Sequence, residues 1–542
     1  MSVTVDEDAR ALLHRARAVY AHDPVALRTL DELDRRLAEP LRLALAGMVK
    51  AGKSTLLNAM LGDRIAPTDA GECTRVVTWY RYSLTPTITL HPKRGAPRRM
   101  PVHREDGRLV LDIGEASADD VAWIDVGWPL DALKSVILID TPGIASLSAD
   151  ASARTVTFLA PDEAASGVDA VVYLMRHLHP SDVRFLEAFR DTAAGAAQSV
   201  CAVGVLSRSD EIGAGRIDSL VSAGKVARRY ERAGDLSSLV LGVIPVAGLL
   251  AESARTLRES EFAAFRELAA LGRDDREQLL LSADRFVRTD ALTSLTREAR
   301  AELLARFGLY GVRLAAALVR GGASSSSELS SRLVEQSGLI PLQRFIRDQF
   351  RTRQTALKVR AVLLALEKLV KERPADGVGE LRAGIERLSA GAHALRELSL
   401  LASARAEGLA LAPSDAAEAV RIVGGEGVEA AARVGLPEDS EPGTVREEAL
   451  RLLDRWRSVS DSPLTERAGM AACRVVIRSL EQIVSEIPAG RALGPMADVM
   501  PARGPADRGG KDAGQQGQQD QPALREQDEQ QRLTALADGD DL

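Results

Sequence analysis

The residues best placed to do chemistry lie in four groups, and the densest runs from Gly47 to Ser54. Two glycines with four residues between them, followed by Lys53 and Ser54, make a phosphate-binding loop. The backbone N–H groups around Gly47, Ala51, Gly52 and Thr55 would surround a β-phosphate at the positive end of the helix that follows. Lys53 reaches the β- and γ-phosphate oxygens, and the Ser54 hydroxyl is a ligand for Mg²⁺. The second group is Asp140 to Gly143, DTPG. A carboxylate at the end of an apolar strand holds the same metal through water, and the Gly143 N–H approaches the γ-phosphate with no side chain in the way.

The third group is a threonine in the polar stretch Asp63–Thr78. Thr74 is the first choice for a residue that contacts Mg²⁺ and fixes the attacking water, and Thr68 is the second. The alternative is that Thr74 only caps the strand at Val76. Ser54, Thr74 and Asp140 thus form the expected metal set. The fourth group is Ser207 to Asp210, SRSD. The Asp210 carboxylate can accept N1–H and N2–H₂ of guanine, a pattern adenine lacks. The flat guanidinium of Arg208 can stack on the base, and the Ala247 backbone N–H can meet guanine O6, the alternative being a plain loop alanine. The ligand these groups call for is GTP with Mg²⁺.

Such groups work only if the fold brings them together. The apolar runs 41–46, 136–139, 168–175, 200–206 and 241–246 read as buried strands, and 76–82 and 87–90 as further strands. Segments 54–61, 149–160 and 181–191 read as helices between them. Strands alternating with helices predict a mostly parallel sheet covered on both faces, with ligands at the carboxyl ends of the strands. The basic run 91–99, with two prolines, reads as a solvated hairpin tip, with a phosphate or lipid contact as the sharper alternative.

Residues 5–38 read as two helices divided at Asp23-Pro24, whose apolar stripe needs later helices to pack on. From about Leu249 the pattern is helical: 253–320, 326–373, 378–406, 414–434 and 444–488, with a Gly/Ser linker at 321–327. The expected organisation is N-terminal helices at 1–38, an α/β P-loop domain at 39–320, and an elongated helical bundle at 321–490. The Gln-rich tail, 491–542, cannot bury enough apolar surface to order itself.

Composition narrows the function. A net charge of −7 supplies no basic field for nucleic acid or anionic lipid, and no RNA-binding module is legible. Three widely spaced cysteines form no metal pattern and fit a reducing compartment. An acidic N-terminus and the absence of an 18-residue apolar run point to the cytoplasm, with any membrane contact peripheral. Two short apolar stretches, Leu398–Ala402 and Gly408–Ala412, read as bundle core, with a membrane tip as the alternative.

The wording of Lys50–Gly62 (KAGKSTLLNAMLG), Pro67 with Thr74-Arg75, DTPG and the helices that follow resembles the dynamin superfamily, specifically the bacterial dynamin-like GTPases. The segments SRSDEIGAGRID (207–218) and ARFGLYGVR (305–313) are similar to the isoniazid-inducible group within it. The resemblance covers about residues 5–490. It implies GTP hydrolysis coupled to nucleotide-dependent dimerisation of GTPase domains at 39–320, a neck formed by the helices of 1–38 with helices after the GTPase domain, and within 321–490 a trunk that engages the inner face of the plasma membrane. It also leaves room for a nucleotide-switch scaffold, or the partner of a paralogous dynamin-like protein. The sequence departs from the family at two points. The guanine motif carries Arg208 where lysine is usual, and Ala51 replaces the serine that dynamins proper use to place a charge-compensating cation. Lys50, inside the loop, could deliver that positive charge in cis and joins Lys53 and Thr74 as a catalytic candidate. No glutamine follows DTPG, which leaves water positioning to the switch threonine.

Overall fold

Leu41–Gly47 (β1) is buried at every residue, which requires strands on both sides and helices above and below. The computed structural model provides both. It describes residues 3–67, 76–105, 107–114, 117–142, 168–192, 201–232, 236, 239–289, 292–391, 393–406, 408–463 and 465–487. Thr68, Thr74, Gly143, the helix expected over 149–160 and the tail lie outside the described residues.

The other strands are β2 (Thr78–Tyr82), β3 (Thr87–Pro92), β4 (Arg98–Met100), β5 (His103–Glu105), β6 (Arg108–Val110) and β7 (Val121–Trp128). They continue with β8 (Val136–Asp140), β9 (Ala170–Met175), β10 (Ala202–Ser207) and β11 (Val243–Val246). Nine form one sheet in the order β11-β10-β9-β1-β8-β2-β7-β3-β4, and β5 and β6 pair separately. The half from β11 to β8 is parallel throughout. Beyond it β2 runs antiparallel to β8, and β3 antiparallel to both β7 and β4. Register sets Leu45 beside Asp140 and Gly47 beside Leu174, so the loop after β1 leaves the sheet between the ends of β8 and β9.

Strands β4 and β7 and the β5–β6 hairpin go beyond the sequence reading. β7 carries a period-two signal in Ile124, Val126 and Trp128, all buried. β4 is a short, arginine-rich edge strand, whose charge masks its pairing.

Helices α1 (Val3–Val19), α2 (Pro24–Ala38) and α3 (Lys53–Leu61) precede the second strand. Asp23 caps α2 by accepting from the Val25 and Ala26 N–H groups, with Pro24 in the first turn. Alternate residues of β1 face opposite layers. Leu41, Leu43 and Leu45 pack with Leu56 and Leu57 of α3. Ala44 and Ala46 pack with Phe185 of α4 (Pro180–Thr192) and Ala223 of α5 (Ser219–Arg232).

After β11 come α6 (Gly248–Arg255), α7 (Glu259–Ala270), α8 (Arg273–Leu279), α9 (Ala283–Arg288), α10 (Arg297–Arg320) and α11 (Ser326–Glu335). The continuous helix read over 253–320 is therefore several. Phe265, Phe286, Phe307 and Leu329 gather them into one cluster with Leu250, so the Gly/Ser run between α10 and α11 connects helices that share a core.

The chain then forms α12 (Leu339–Phe345), a wider-wound turn at Ile346–Arg351, α13 (Gln354–Glu372) and α14 (Val378–Gly391). Leu12, Leu13, Leu30 and Leu33 of the N-terminal helices pack on Val359, Val362, Leu366 and Leu381, the later partner their stripe required. The last helices are α15 (His393–Ala406), α16 (Pro413–Ile422), α17 (Ala430–Val434), α18 (Pro442–Asp461) and α19 (Arg467–Glu486), around the fully buried Trp456. The block read over 444–488 divides at Ser462, which precedes Pro463 and so disfavours helix. Leu398, Leu400 and Leu401 are buried, and Leu409 and Leu411 are half-buried against the same cluster, which is the bundle-core reading.

Candidate functional site

β1 ends at Gly47, with φ +144°. A Cβ at this position would lie 2.3 Å from the Leu174 carbonyl oxygen of β9, so only glycine lets the chain leave the sheet here. The loop closes at Gly52, in the left-handed region, and no side chain caps the α3 N-terminus that follows. That leaves the first turn of α3 suited to an anion.

Lys53 is buried, and its Nζ donates to the Gly47 and Met48 carbonyls at 3.2 and 3.3 Å. Burial lowers the ammonium from the ordinary lysine value, and Asp140 pulls the other way. The Ser54 hydroxyl donates to Asp140 Oδ2 at 2.7 Å. Asp140 Oδ1 is buried without a hydrogen-bond partner among the described residues. Burial raises the Asp140 carboxyl, opposed by Lys53, Ser54 and Thr141. The Thr141 hydroxyl ties the end of β8 to β1 by donating to the Leu45 carbonyl at 2.7 Å. A hydroxyl, a carboxylate with one uncommitted oxygen and a buried ammonium fit a hard dication bound with a polyphosphate.

The other end of the site is a cavity of 180 Å³ lined by Ala51, Gly52, Thr55, Arg208, Asp210 and Gly248 among others. The structure thus brings the SRSD segment against the phosphate loop. Asp210 borders the cavity, and burial raises its carboxyl from the ordinary aspartate value. Arg208 adopts φ +51° and donates to the Lys50 carbonyl at 3.3 Å and to Glu211 at 2.9 Å. It therefore links the SRSD segment to the phosphate loop. Lys50 itself is exposed, at φ +63°.

One expectation is corrected. The Ala247 N–H donates to the Ser337 carbonyl at 2.9 Å, so that amide is committed, and Gly248 rather than Ala247 lines the cavity. Ser337 is ninety positions away in the chain, beyond the reach of local pattern. A further residue went unread in the sequence. Asn58 of α3 accepts from the Ile65 and Ala66 N–H groups at 3.1 and 2.8 Å and donates to the Ala66 carbonyl at 3.0 Å. It fixes the backbone that leads into the polar stretch holding Thr68 and Thr74. Its signal was a carboxamide on the apolar face of a helix.

A family model described as the dynamin family matches residues 43–192. The isoniazid-induced protein IniC of Mycobacterium tuberculosis is 40% identical over 498 residues, which span 90% of this chain and 100% of that protein. The chain belongs to the dynamin family. It is a bacterial dynamin-like GTPase by membership, with an α/β GTPase-type sheet and a large helical C-terminal region.

A bacterial dynamin-like protein of Nostoc punctiforme is 30% identical over 162 residues, covering 27% of this chain and 22% of that one. The isoniazid-induced protein IniA of Mycobacterium tuberculosis is 27% identical over 286 residues, covering 52% and 42%. A solved structure of an oligomerised bacterial dynamin pair aligns over 89% of this chain and 74% of that one, with 11% identity and a TM-score of 0.35. In this dynamin-like chain the matched span, 43–192, holds the phosphate loop and Asp140 but ends before Asp210. Among the described residues, no helix is long and apolar enough to cross a membrane.

Proposed function

We propose that this dynamin-family chain binds GTP with Mg²⁺ along the carboxyl edge of its sheet and hydrolyses it to GDP and phosphate. The observation that carries the reading is the Ser54–Asp140 contact at 2.7 Å, with Lys53 beside it and Asp140 Oδ1 uncommitted. Ser54 and Asp140 would hold the metal, joined by Thr74. A bound Mg²⁺ would supply neutralisation of the charge that develops on the transferred phosphate. Lys53 exchanges its two loop carbonyls for phosphate oxygens, and the α3 N-terminus faces the β-phosphate. Gly143 meets the γ-phosphate, Thr74 orients water, and Lys50 offers a charge in cis from its exposed place on the loop. Asp210 reads guanine at the far end of the cavity.

Residues 39–320 act as the GTPase domain, and 1–38 with 321–490 as neck and trunk. Nucleotide-dependent pairing of GTPase domains, and peripheral action at the cytoplasmic face of the plasma membrane, rest on family membership. A second reading is a nucleotide switch that serves a paralogous dynamin-like protein as scaffold or partner, with little remodelling of its own.

Lys53→Ala tests the core of the proposal. GTP affinity or turnover should collapse while the circular dichroism spectrum is retained. Unchanged turnover would refute the site. Specific activity against protein concentration separates the two readings. A rise with concentration fits self-pairing, and a flat profile that rises only with a paralogue fits the partner role. Sedimentation with and without liposomes, in GTP and in GDP, tests the membrane contact.

A further inference from the structure

The ARFGLYGVR segment, 305–313, lies on α10, well outside the phosphate loop, yet three of its residues press on the base-reading loop. α10 is kinked at Gly308, with φ +65° and ψ 172°. A Cβ there would stand at ordinary contact distance, 3.7 Å, from Asp210 Oδ2, so the positive φ rather than lack of space selects glycine where α10 passes the carboxylate. Tyr310 is buried beside the same loop, its backbone N 3.6 Å from where a Cβ on Gly215 would be. The nearby Asp210 carboxylate adds to burial in raising its phenol.

Arg313 makes the largest commitment. Its guanidinium donates to the Gly215 carbonyl at 2.6 Å, to Ala214 at 3.2 Å, to Leu280 at 2.7 and 3.0 Å, and to Leu281 at 3.2 Å. The turn it grips is strained. Gly213, Ala214 and Gly215 are all left-handed, at φ +74°, +61° and +72°. A run of that hand is unfavourable for L-residues, and Ala214 lacks the freedom of its glycine neighbours. Such a conformation persists only where its surroundings over-determine it, and it clusters where geometry matters for function. The turn connects to the reading residue by a short path. The Ala214 N–H donates to the Glu211 carbonyl at 3.3 Å, and the Glu211 N–H to the Arg208 carbonyl at 2.9 Å, with Asp210 between them.

We infer that Arg313 is a positioning residue for base selectivity: by holding the left-handed turn 213–215 it sets the place from which Asp210 meets the purine edge. This rests on the guanine-reading role proposed above for Asp210. A planar fork that saturates four carbonyls is something lysine cannot reproduce, so the segment distinguishes arginine from a general cation.

The test compares GTP with ITP, which keeps N1–H and lacks the 2-amino group. kcat and KM for both are measured on the full-length wild type, Arg313→Ala, Arg313→Lys and Asp210→Asn. Arg313→Ala should lower the GTP-to-ITP ratio of kcat/KM by about tenfold, the worth of one charge-assisted hydrogen bond. The loss should lie in KM, with kcat little changed, and should be smaller for ITP, which has only the N1–H contact with Asp210 to lose. Arg313→Lys should fall between, and it serves in place of the alanine variant if that one does not fold. Equal losses for GTP and ITP, or an unchanged ratio, would overturn the inference and leave Arg313 a purely structural clamp. Asp210→Asn is the independent control. If it leaves base preference intact, assayed with xanthine nucleotide included, the reading of Asp210 fails. If it shifts preference while both Arg313 variants do not, only the inference about Arg313 fails.

Discussion

The Ser54 hydroxyl rests on Asp140 Oδ2 at 2.7 Å, joining the first turn of α3 to the end of β8. Two motifs far apart in the sequence thus meet through one hydrogen bond, and the second carboxylate oxygen has no hydrogen-bond partner among the described residues. Asp140→Asn removes the charge and keeps the shape. Binding of a fluorescent GTP analogue in EDTA should then be nearly unchanged, while the gain on adding Mg²⁺ should shrink by about 10–100-fold, as for other groups that hold a metal through water. A full Mg²⁺ response in the variant would remove Asp140 from the metal set.

Asn58 offers a separate handle on turnover. It is 2% exposed and makes three hydrogen bonds to the backbone of Ile65 and Ala66. Asn58→Ala leaves these buried backbone groups without partners, each at about 1–3 kcal/mol. Part of that cost appears as lower stability in urea. The rest should appear as a lower kcat with nucleotide affinity retained, because Asn58 holds Ile65 and Ala66, just ahead of the threonines proposed as the switch, and does not line the cavity. Asn58→Asp keeps the acceptor for both N–H groups and should recover part of the rate. Equal loss of affinity and rate in the two variants would count against a role through the switch.

How far the sequence revealed this site depends on how local each part is. Gly47 to Ser54 and Asp140 were legible because a strand, a turn and a helix N-terminus are written in contiguous residues. The parallel half of the sheet followed from apolar runs such as Val136–Asp140 and Ala170–Met175, buried almost throughout. β4 was hidden because it is an edge strand of Arg98, Arg99 and Met100, whose pairing with β3 is set by tertiary contact. The Ala247 amide was misjudged for the same reason, since its partner Ser337 comes from a distant loop. Arg208 also donates to Glu211 and to the carbonyl of Lys50, and the second of these contacts joins segments too distant in the chain to be read from local pattern. Asn58, Arg313 and Ser337 all act through backbone groups shared with other segments, and the sequence does not name those partners even where, as for Asn58, a polar group on an apolar helix face marks the residue itself.

The N-terminal helices are joined to the sheet by a buried charge pair. Arg36 of α2 donates to Asp169 Oδ1 at 2.9 Å, and the Arg42 N–H to Oδ2 at 2.8 Å. The Asp169 side chain is 0% exposed and that of Arg36 is 7% exposed, so solvent screening does little for either. Asp169→Ala strands Arg36 in the interior and should cost about 3–5 kcal/mol in urea unfolding. Arg36→Met combined with Asp169→Asn should lose less than the two single changes added together, because neither charge is then left alone. Strict additivity would show that the pair does not couple α2 to the start of β9.

The helical C-terminal region has its own acid-sensitive point. Glu397 on α15 accepts from the Ser479 hydroxyl at 2.6 Å and from Arg433, and His393 lies 3.4 Å away. Burial alone would raise this carboxyl, but the hydrogen bond from His393, the Arg433 charge and the Ser479 hydroxyl outweigh it and hold it at about 2. A carboxyl lowered in the folded state contributes stability that is complete above the ordinary glutamate range and is lost as pH falls through that range toward the folded value. Glu397→Gln removes the titration and keeps an acceptor. The stability gap between wild type and this variant should therefore narrow by about 2 kcal/mol between about pH 6 and about pH 3, read by urea unfolding at each pH. Since His393 and Arg433 would face a neutral amide at every pH, the variant's own curve should also be flatter in that window. Parallel curves would mean that the acid response of the bundle arises elsewhere, and that the Glu397 carboxylate is held no more firmly folded than unfolded.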